Sequence, residues 1–425
     1  MNGLDSDFPL VPLRRLSSAP ITNGLGEAGN PDNDEAWPRY IRTTDIATVR
    51  SLDPKKRLTL PAEIARQAPV FPYDILMTSA GATVGKSYIH LSGESACFAG
   101  YLSRWRVRRD RALPEFMAYF TESALFTSQV QAGAVKSTIE NYSAAKYRAT
   151  LAPVPSLAEQ QAIVGFLDRE TAQIDAFIAK NEELIALLTE RRATVIRNAT
   201  TTGIGSHEDL VDSGDEQVGP IPTRWRMLRL SFLFGSTASG TTPASEQILD
   251  ADHADVPWVT TGELREAQIT GTLRGVSAEI LATTPALRLH PEGALLIAMY
   301  GATIGRTAIL RVPAASNQAV CALSRPTGCD VEYVELALQA SRERLRLKAV
   351  GGGQPNINQE TVRAFRIPVP PLEEQRAIVA YVKEQTAHIN AAMANAMRCA
   401  DLARERRAAL ISAAVTGKID VGVSA

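Results

Sequence analysis

From Leu157 to about Asn198 the chain has no proline and one glycine, Gly165. Apolar residues recur there at heptad spacing, at Leu167, Ile174, Leu188 and Val195, with a second row at Phe177 and Leu184. That period predicts a long helix with a seam for a partner helix. The stripe returns with the same internal spacing near the end of the chain, at Val382, Ile389, Ala403 and Leu410, then Ala392 and Cys399. Its smaller side chains let two helix axes come close, so the pattern predicts an antiparallel coiled-coil pair. Pro155 and Ser156, and Pro370 and Pro371, suit helix starts, and Glu159, Glu373 and Glu374 put negative charge at the positive dipole end. Arg191, Arg192, Arg406 and Arg407 read as cations near the negative ends, and Gly203 and Gly417 as stops. Ahead of each long helix lie short strand-like runs, such as Asp74 to Thr78 and Ala294 to Ala298, and helical stretches near Leu113 to Gln129 and Val331 to Lys348. Thr200 to Gly219 reads as exposed loop.

The whole chain repeats with the same register. GATVGK (81–86) returns as GATIGR (301–306), YIRTTDI (40–46) as WVTTGEL (258–264), PVPSLAEQQAIV (153–164) as PVPPLEEQRAIV (368–379), and ERRATVI (190–196) as ERRAALI (405–411). The order is kept and the offset stays nearly constant from match to match, so only small insertions separate the copies. The period is about half the chain, far too long for a solenoid. Two large copies in tandem imply two α/β units and approximate two-fold symmetry within one chain. Duplex DNA is the commonest ligand with a matching symmetry.

Composition narrows the picture without changing it. The 425 residues are 45% hydrophobic and 21% charged, which excludes disordered and low-complexity classes. Net charge is −1, so any basic face is local. Cys97, Cys321, Cys329 and Cys399 show no CxxC spacing, and the five histidines are scattered, so no metal, cofactor or disulfide framework is expected. The start, MNGLDSDFPLVPLRRL, lacks a signal-like apolar run, and no stretch is long enough to cross a membrane, so a cytoplasmic protein is expected.

Two motifs invite an enzymatic reading. Gly24 to Gly29 matches GxGxxG, but Pro20 before it and Asn30-Pro31-Asp32 after it leave no strand and helix to frame a dinucleotide, and a flexible loop fits better. Ala80 to Ser87, AGATVGKS, nearly fits a P-loop, which must open a helix. Tyr88-Ile89-His90-Leu91 downstream is strand-like, and the copy YGATIGRT has a bulky first residue and arginine for lysine. The shared Gly-Ala-Thr-apolar-Gly-basic pattern predicts a tight turn between strands with one basic side chain projecting, Lys86 in one copy and Arg306 in the other. No nucleophile elbow or adenine-methyltransferase motif is present, so catalysis by this chain is not expected.

Basic and polar clusters supply candidate DNA contacts. YLSRWRVRRDR (101–111) interleaves Arg104, Arg106 and Arg108 with Tyr101 and Trp105, and RERLRLK (342–348) is a basic helical run. Each is either a solvated face or a phosphate-contacting one. The loop GGGQPNIN (351–358) and its counterpart GAVKSTIE (133–140) are either plain solvent loops or carriers of base-reading side chains. From these segments and the turns come the candidates Lys86, Arg104, Arg106, Arg108, Lys136, Ser137, Tyr300, Arg306, Gln354 and Asn356.

PNINQETVRAFRIPVPPLEEQRAIV (355–379), ERRAALISAAVTGKID (405–420) and the paired GAT turns resemble the specificity subunit of type I restriction-modification systems. The likeness covers nearly the whole chain. It implies two target-recognition domains (1–155 and 204–370) separated and held by two spacer helices (156–203 and 371–417). It implies that each domain reads one half of a bipartite, asymmetric site in double-stranded DNA. It further implies docking of DNA adenine methyltransferase subunits, two by symmetry, and of a restriction/translocase subunit, with no active site in this chain. Leu167, Ile174, Leu188, Val382, Ile389 and Leu410 would belong to the docking helices. The first copy departs from the pattern: PVPSLAEQ lacks one proline and one glutamate, and Ala199 to Ile204 differs from Ala414 to Ile419. Equal docking of two partners is thereby put in question. The competing readings are a P-loop enzyme centred on Lys86 and Ser87, and a coiled-coil scaffold without DNA readout.

Overall fold

In a computed structural model, residues 5–30, 36–134, 141–205, 209–353 and 355–421 are described. The chain divides into two units, residues 1–182 with 397–425, and residues 183–396. Each of the two 45-residue helices, Leu157–Thr201 and Leu372–Thr416, contributes part of its length to each unit.

The first unit is built on an antiparallel sheet in the order Thr22–Asn23, Leu102–Trp105, Ile75–Thr78, Ser87–Ile89. Its central strand Ile75–Thr78 is buried throughout, which explains the unbroken apolar run in the sequence. Alternate side chains go to opposite faces. Ile75, Met77, Ile89 and Trp105 pack with the helices, including Phe116 and Phe120 of Pro114–Glu122. Leu76, Tyr88 and Leu102 pack instead with Ile41, Val70 and Phe98 of a smaller three-stranded sheet.

The second unit repeats this plan. Its sheet runs Phe234–Ser239, Val320–Pro326, Leu295–Ala298, Thr307–Leu310, Ala267–Ile269. Leu295, Ile297, Ile309 and Leu323 face the helical core; Leu296, Ala298, Ala308 and Leu310 face the other way. The parallel pair Arg39–Ile41 with Ala96–Phe98 returns as Val256–Val259 with Ala315–Ser316. Each unit also pairs an early strand with the strand that leads into a long helix: Leu10–Pro12 with Leu151–Pro153, and Arg226–Arg229 with Arg366–Val369.

A buried glutamine ties the α/β part of each unit to a long helix. Gln160 accepts the Leu113 N–H at 2.7 Å and donates to the Pro155 carbonyl at 2.9 Å. Gln375, its counterpart in the second copy, accepts from Asp330 at 2.8 Å and donates to Pro370 at 2.9 Å. Both are fully buried. Removing either would strand a buried donor and an acceptor, at about 1–3 kcal/mol for each group.

The helices start as their sequence suggests. Ser156 and Glu159 form a reciprocal cap, at 3.3 Å and 2.7 Å. The arginine pairs do not behave as the dipole reading expects. Arg191, Arg192, Arg406 and Arg407 lie well before the helix ends at Thr201 and Thr416, outside the last turn, where the dipole effect has faded. Within the first unit the helices run antiparallel, as the ion pairs Arg404–Glu182 (2.6 Å) and Arg407–Asp175 (2.9 Å) show by their falling and rising numbers. The expected seam is uneven: Leu167 and Ile174 are buried, while Phe177 and Leu184 are 49% and 43% exposed. No helix among the described residues is long and apolar enough to cross a membrane.

Candidate nucleic-acid interface

The two GAT turns have the same backbone. In the first, Gly85 N–H bonds the Thr78 carbonyl (3.0 Å), Thr78 N–H bonds the Lys86 carbonyl (2.8 Å), and Lys86 N–H bonds Thr83 (3.0 Å). In the second, Gly305 bonds Ala298 (2.9 Å), Ala298 bonds Arg306 (2.9 Å) and Arg306 bonds Thr303 (2.9 Å). The second glycine has φ of +89° and +77°, a region closed to most L-residues, so glycine is needed at both places. A strand, Ser87–Ile89 or Thr307–Leu310, follows each turn, and no α-helix opens there; the second turn holds only the single 3-10 turn Gly301–Thr303. Ser87 is buried and hydrogen-bonded to Thr121 at 2.7 Å. The P-loop reading therefore fails on geometry, and the tight-turn reading describes what forms.

A second segment lies against each turn. Asn141 makes an antiparallel bridge with Ala80, and Tyr142 N–H bonds the Ser79 carbonyl at 2.8 Å. In the second unit Asn356 bridges Tyr300, Ile357 N–H bonds Met299 at 2.9 Å, and Gly301 N–H bonds Pro355 at 2.8 Å. Asn356 also exchanges two backbone bonds with Val350, both 2.9 Å, closing the glycine loop. A short helix leaves each segment, capped by Ser143 or Asn358. The GAT turn and the segment against it, at Asn141 and Tyr142 in the first unit and at Pro355 to Ile357 in the second, thus form one constellation in each unit. Three of the expected residues, Tyr300, Arg306 and Asn356, come together this way. Tyr300 is 38% exposed and Asn356 is exposed. The Arg306 side chain is partly exposed and bonds nothing among the described residues. Lys86 sits at the matching place, but its amine donates to the Ile46 carbonyl at 2.5 Å. Lys136, Ser137 and Gln354 lie outside the described residues.

The arginine run behaves differently from expectation. It occupies strand Leu102–Trp105 and its exit, and Trp105 is fully buried in the core. Arg104 donates to the Pro69 carbonyl at 2.7 Å and lies 5.7 Å from the Phe98 ring; burial holds its pKa below the usual value. Arg106 makes a two-pronged pair with buried Asp74, at 2.8 and 2.9 Å, which raises its pKa, and it stacks 4.3 Å from the Phe71 ring. Arg108 pairs with Asp110 at 3.0 Å on the surface. All three are engaged by their own fold. The residues expected on docking helices divide similarly. Leu167 and Val382 are at 0% and 2% exposure within the two cores, and Ile174 and Ile389 are buried too, so these four are not available to a partner. Leu188 and Leu410 are half-buried.

Two histidines are buried and structural: His90 bonds Tyr88 and the Glu94 carbonyl, and His290 bonds Ser316 at 2.9 Å, while His253 and His388 are exposed. Sequence reasoning missed Asn141, although ENYSAAKYR (140–148) and PNINQETVR (355–363) sit at matching places in the two copies. It also missed what Arg407 does. That side chain bonds Glu122 of the helix Pro114–Glu122 at 2.7 Å and Asp175 of the first long helix at 2.9 Å.

Residues 222–395 match the type I restriction modification DNA specificity domain. The chain is 21% identical over 395 residues to the type I restriction enzyme StySPI specificity subunit of Salmonella potsdam, covering 87% of this chain and 79% of that protein. It is 23% identical to the type I restriction enzyme EcoBI specificity subunit of Escherichia coli, covering 88% and 78%. A chain from a structure of the type I R-M system, described for its complex assembly and conformational transition, superposes with a TM-score of 0.71 at 16% identity, covering 98% of this chain and all of that one.

Proposed function

Since the chain belongs to the specificity subunits of type I restriction-modification systems, we propose that its two units each read one half of a bipartite, asymmetric DNA site. The observation that carries this is the repeated constellation: a GAT turn with a basic sixth residue, backbone-bridged to an asparagine-bearing segment, formed twice on one sheet plan. Phosphate contacts supply affinity and base-edge contacts supply sequence. Arg306 and Asn356 suit both roles, since arginine pairs with guanine and asparagine with adenine in the major groove. Tyr300 and Lys86 complete the contact set.

In this reading the recognition domains are residues 1–155 and 204–370, and the helices of 156–203 and 371–417 fix the distance between half-sites. A 45-residue helix is about 67 Å long at ~1.5 Å per residue. That exceeds the ~34 Å between half-sites one DNA turn apart. The exposed helix faces dock adenine methyltransferase subunits, and a restriction subunit joins them. The chain itself acts in the cytoplasm as a non-catalytic reader. Methylation mapping in cells that carry the chain with its methyltransferase tests this. A motif with two defined halves around an unspecified gap is expected, and it should vanish when the gene for this chain is deleted. A motif that persists without the chain overturns the proposal.

A further inference from the structure

The ion-pair bolt of the first unit has an unfinished copy in the second. The shift in number that carries Gln160 to Gln375 also carries Arg192 to Arg407 and Asp175 to Asn390. The shift that carries Leu113 to Asp330, which bond those two glutamines, carries Glu122 to Gln339. Both carboxylates of the first unit are therefore replaced by their own amides in the second. Arg407 satisfies its Nε on Asp175 and its Nη1 on Glu122. Arg192 has a buried Nε with no hydrogen-bond partner, and its guanidinium makes no ion pair among the described residues.

Arg192 and Gln339 line the same pocket of the second unit, about 580 Å³ in volume. Three other charges there are already paired: Arg342 with Glu266 at 3.3 Å, and Glu343 with Arg346 at 3.1 Å. Arg192 and Arg197 remain against Glu190, a net positive balance. An unpaired guanidinium held partly out of water is unfavourable, and a fork of N–H donors matches a carboxylate in shape and charge. An amide at Gln339 cannot supply that charge. The pocket is also large enough for a side chain from outside.

We propose that the Arg192 pocket receives an acidic side chain, aspartate or glutamate, from a protein partner, completing from outside the bolt that the first unit closes by itself. This deepens the partner-docking part of the function proposed above and rests on it. It also makes the two units different to a partner: one has its arginine closed, and the other holds it open.

Two variants of the full chain test the pocket. Gln339→Glu fills it from within, and Arg192→Gln removes the cation. With the chain assembled on its methyltransferase subunit, both should weaken assembly at least tenfold. Gln339→Glu should also raise the Tm of the free chain, by roughly 2–4 °C, and Arg192→Gln should leave that Tm unchanged. Unchanged assembly in both variants overturns the proposal. So does a defect confined to DNA binding with a shallower salt dependence, which would make the occupant a phosphate. If the wild-type chain fails to assemble, the function proposed above has failed, and the pocket is then tested in the free ¹⁵N-arginine-labelled chain. A saturable acetate-induced shift of the Arg192 Nε signal, lost in Gln339→Glu, supports an acidic ligand. A uniform shift across all arginines overturns it.

Discussion

The two units share a scaffold and differ in what their equivalent side chains are free to do. The GAT turns agree bond for bond, and so do the buried glutamines. Yet Lys86 is tethered to Ile46 where Arg306 is not tethered, and Arg407 is closed where Arg192 is open. Duplication preserved the parts that a backbone needs, since losing a buried hydrogen bond or a positive-φ glycine costs stability in either copy. It released the side chains that face outward. The proposed reading of two different half-sites on one framework requires that freedom.

The largest expected effects probe the sameness. Gln160→Ala and Gln375→Ala should each lower the unfolding free energy by about 2–4 kcal/mol, because each strands a buried N–H and a carbonyl. Urea denaturation of the two variants should give equal losses; a gap wider than about 1.5 kcal/mol would break the equivalence of the units.

The next effects probe the difference. Glu335 is a partly buried carboxyl at the place where the first unit has Ala118. Burial pushes its pKa up to about 7, so the folded state holds a proton that the unfolded chain releases near 4.5. The sign follows: its contribution is full below pH 4.5 and is lost as pH rises through 7. The loss is about 3 kcal/mol at ~1.36 kcal/mol per pH unit. Stability of the wild type relative to Glu335→Gln, measured from about pH 4.5 to 8, should fall by that amount. A flat difference would show that the carboxyl is not desolvated.

Arg407→Ala should cost about 2 kcal/mol, as it breaks a charge-assisted bond to partly buried Glu122 and a second to exposed Asp175, whereas Arg192→Ala should cost under about 0.5 kcal/mol. Equal losses in a denaturation series would mean that Arg192 is already paired. A separate effect is expected on DNA. In the assembled complex Arg306→Ala should weaken binding by about 1–3 kcal/mol, and Lys86→Ala by less, since its amine is engaged at home. The reverse order in a titration would move the contact to the first turn.

Much of this architecture was legible in the chain. The long helices follow from their proline-free heptads and caps, and the tandem copies from offsets that hold over the whole length. The GAT turn could be told from a P-loop because the copy replaces its lysine and because strand-forming residues follow it. The arginine run misled for a physical reason. Charge alone does not reveal that Asp74 waits inside the fold for Arg106, or that strand alternation sends Trp105 into the core. Nor does a heptad tell which apolar residues close against their own unit, as Leu167 and Val382 do, and which stay open, as Phe177 does. The Glu122–Arg407–Asp175 bolt joins residues far apart in sequence, so no local pattern announces it.

The central claim is that each unit reads its own half of one site. The most direct measurement is methylation mapping of cells carrying the chain with Arg306→Ala and Asn356→Ala together. The account predicts relaxed sequence preference in a single half of the motif, with the other half and the gap unchanged. Simultaneous alteration of both halves, or a motif that does not respond at all, would contradict it.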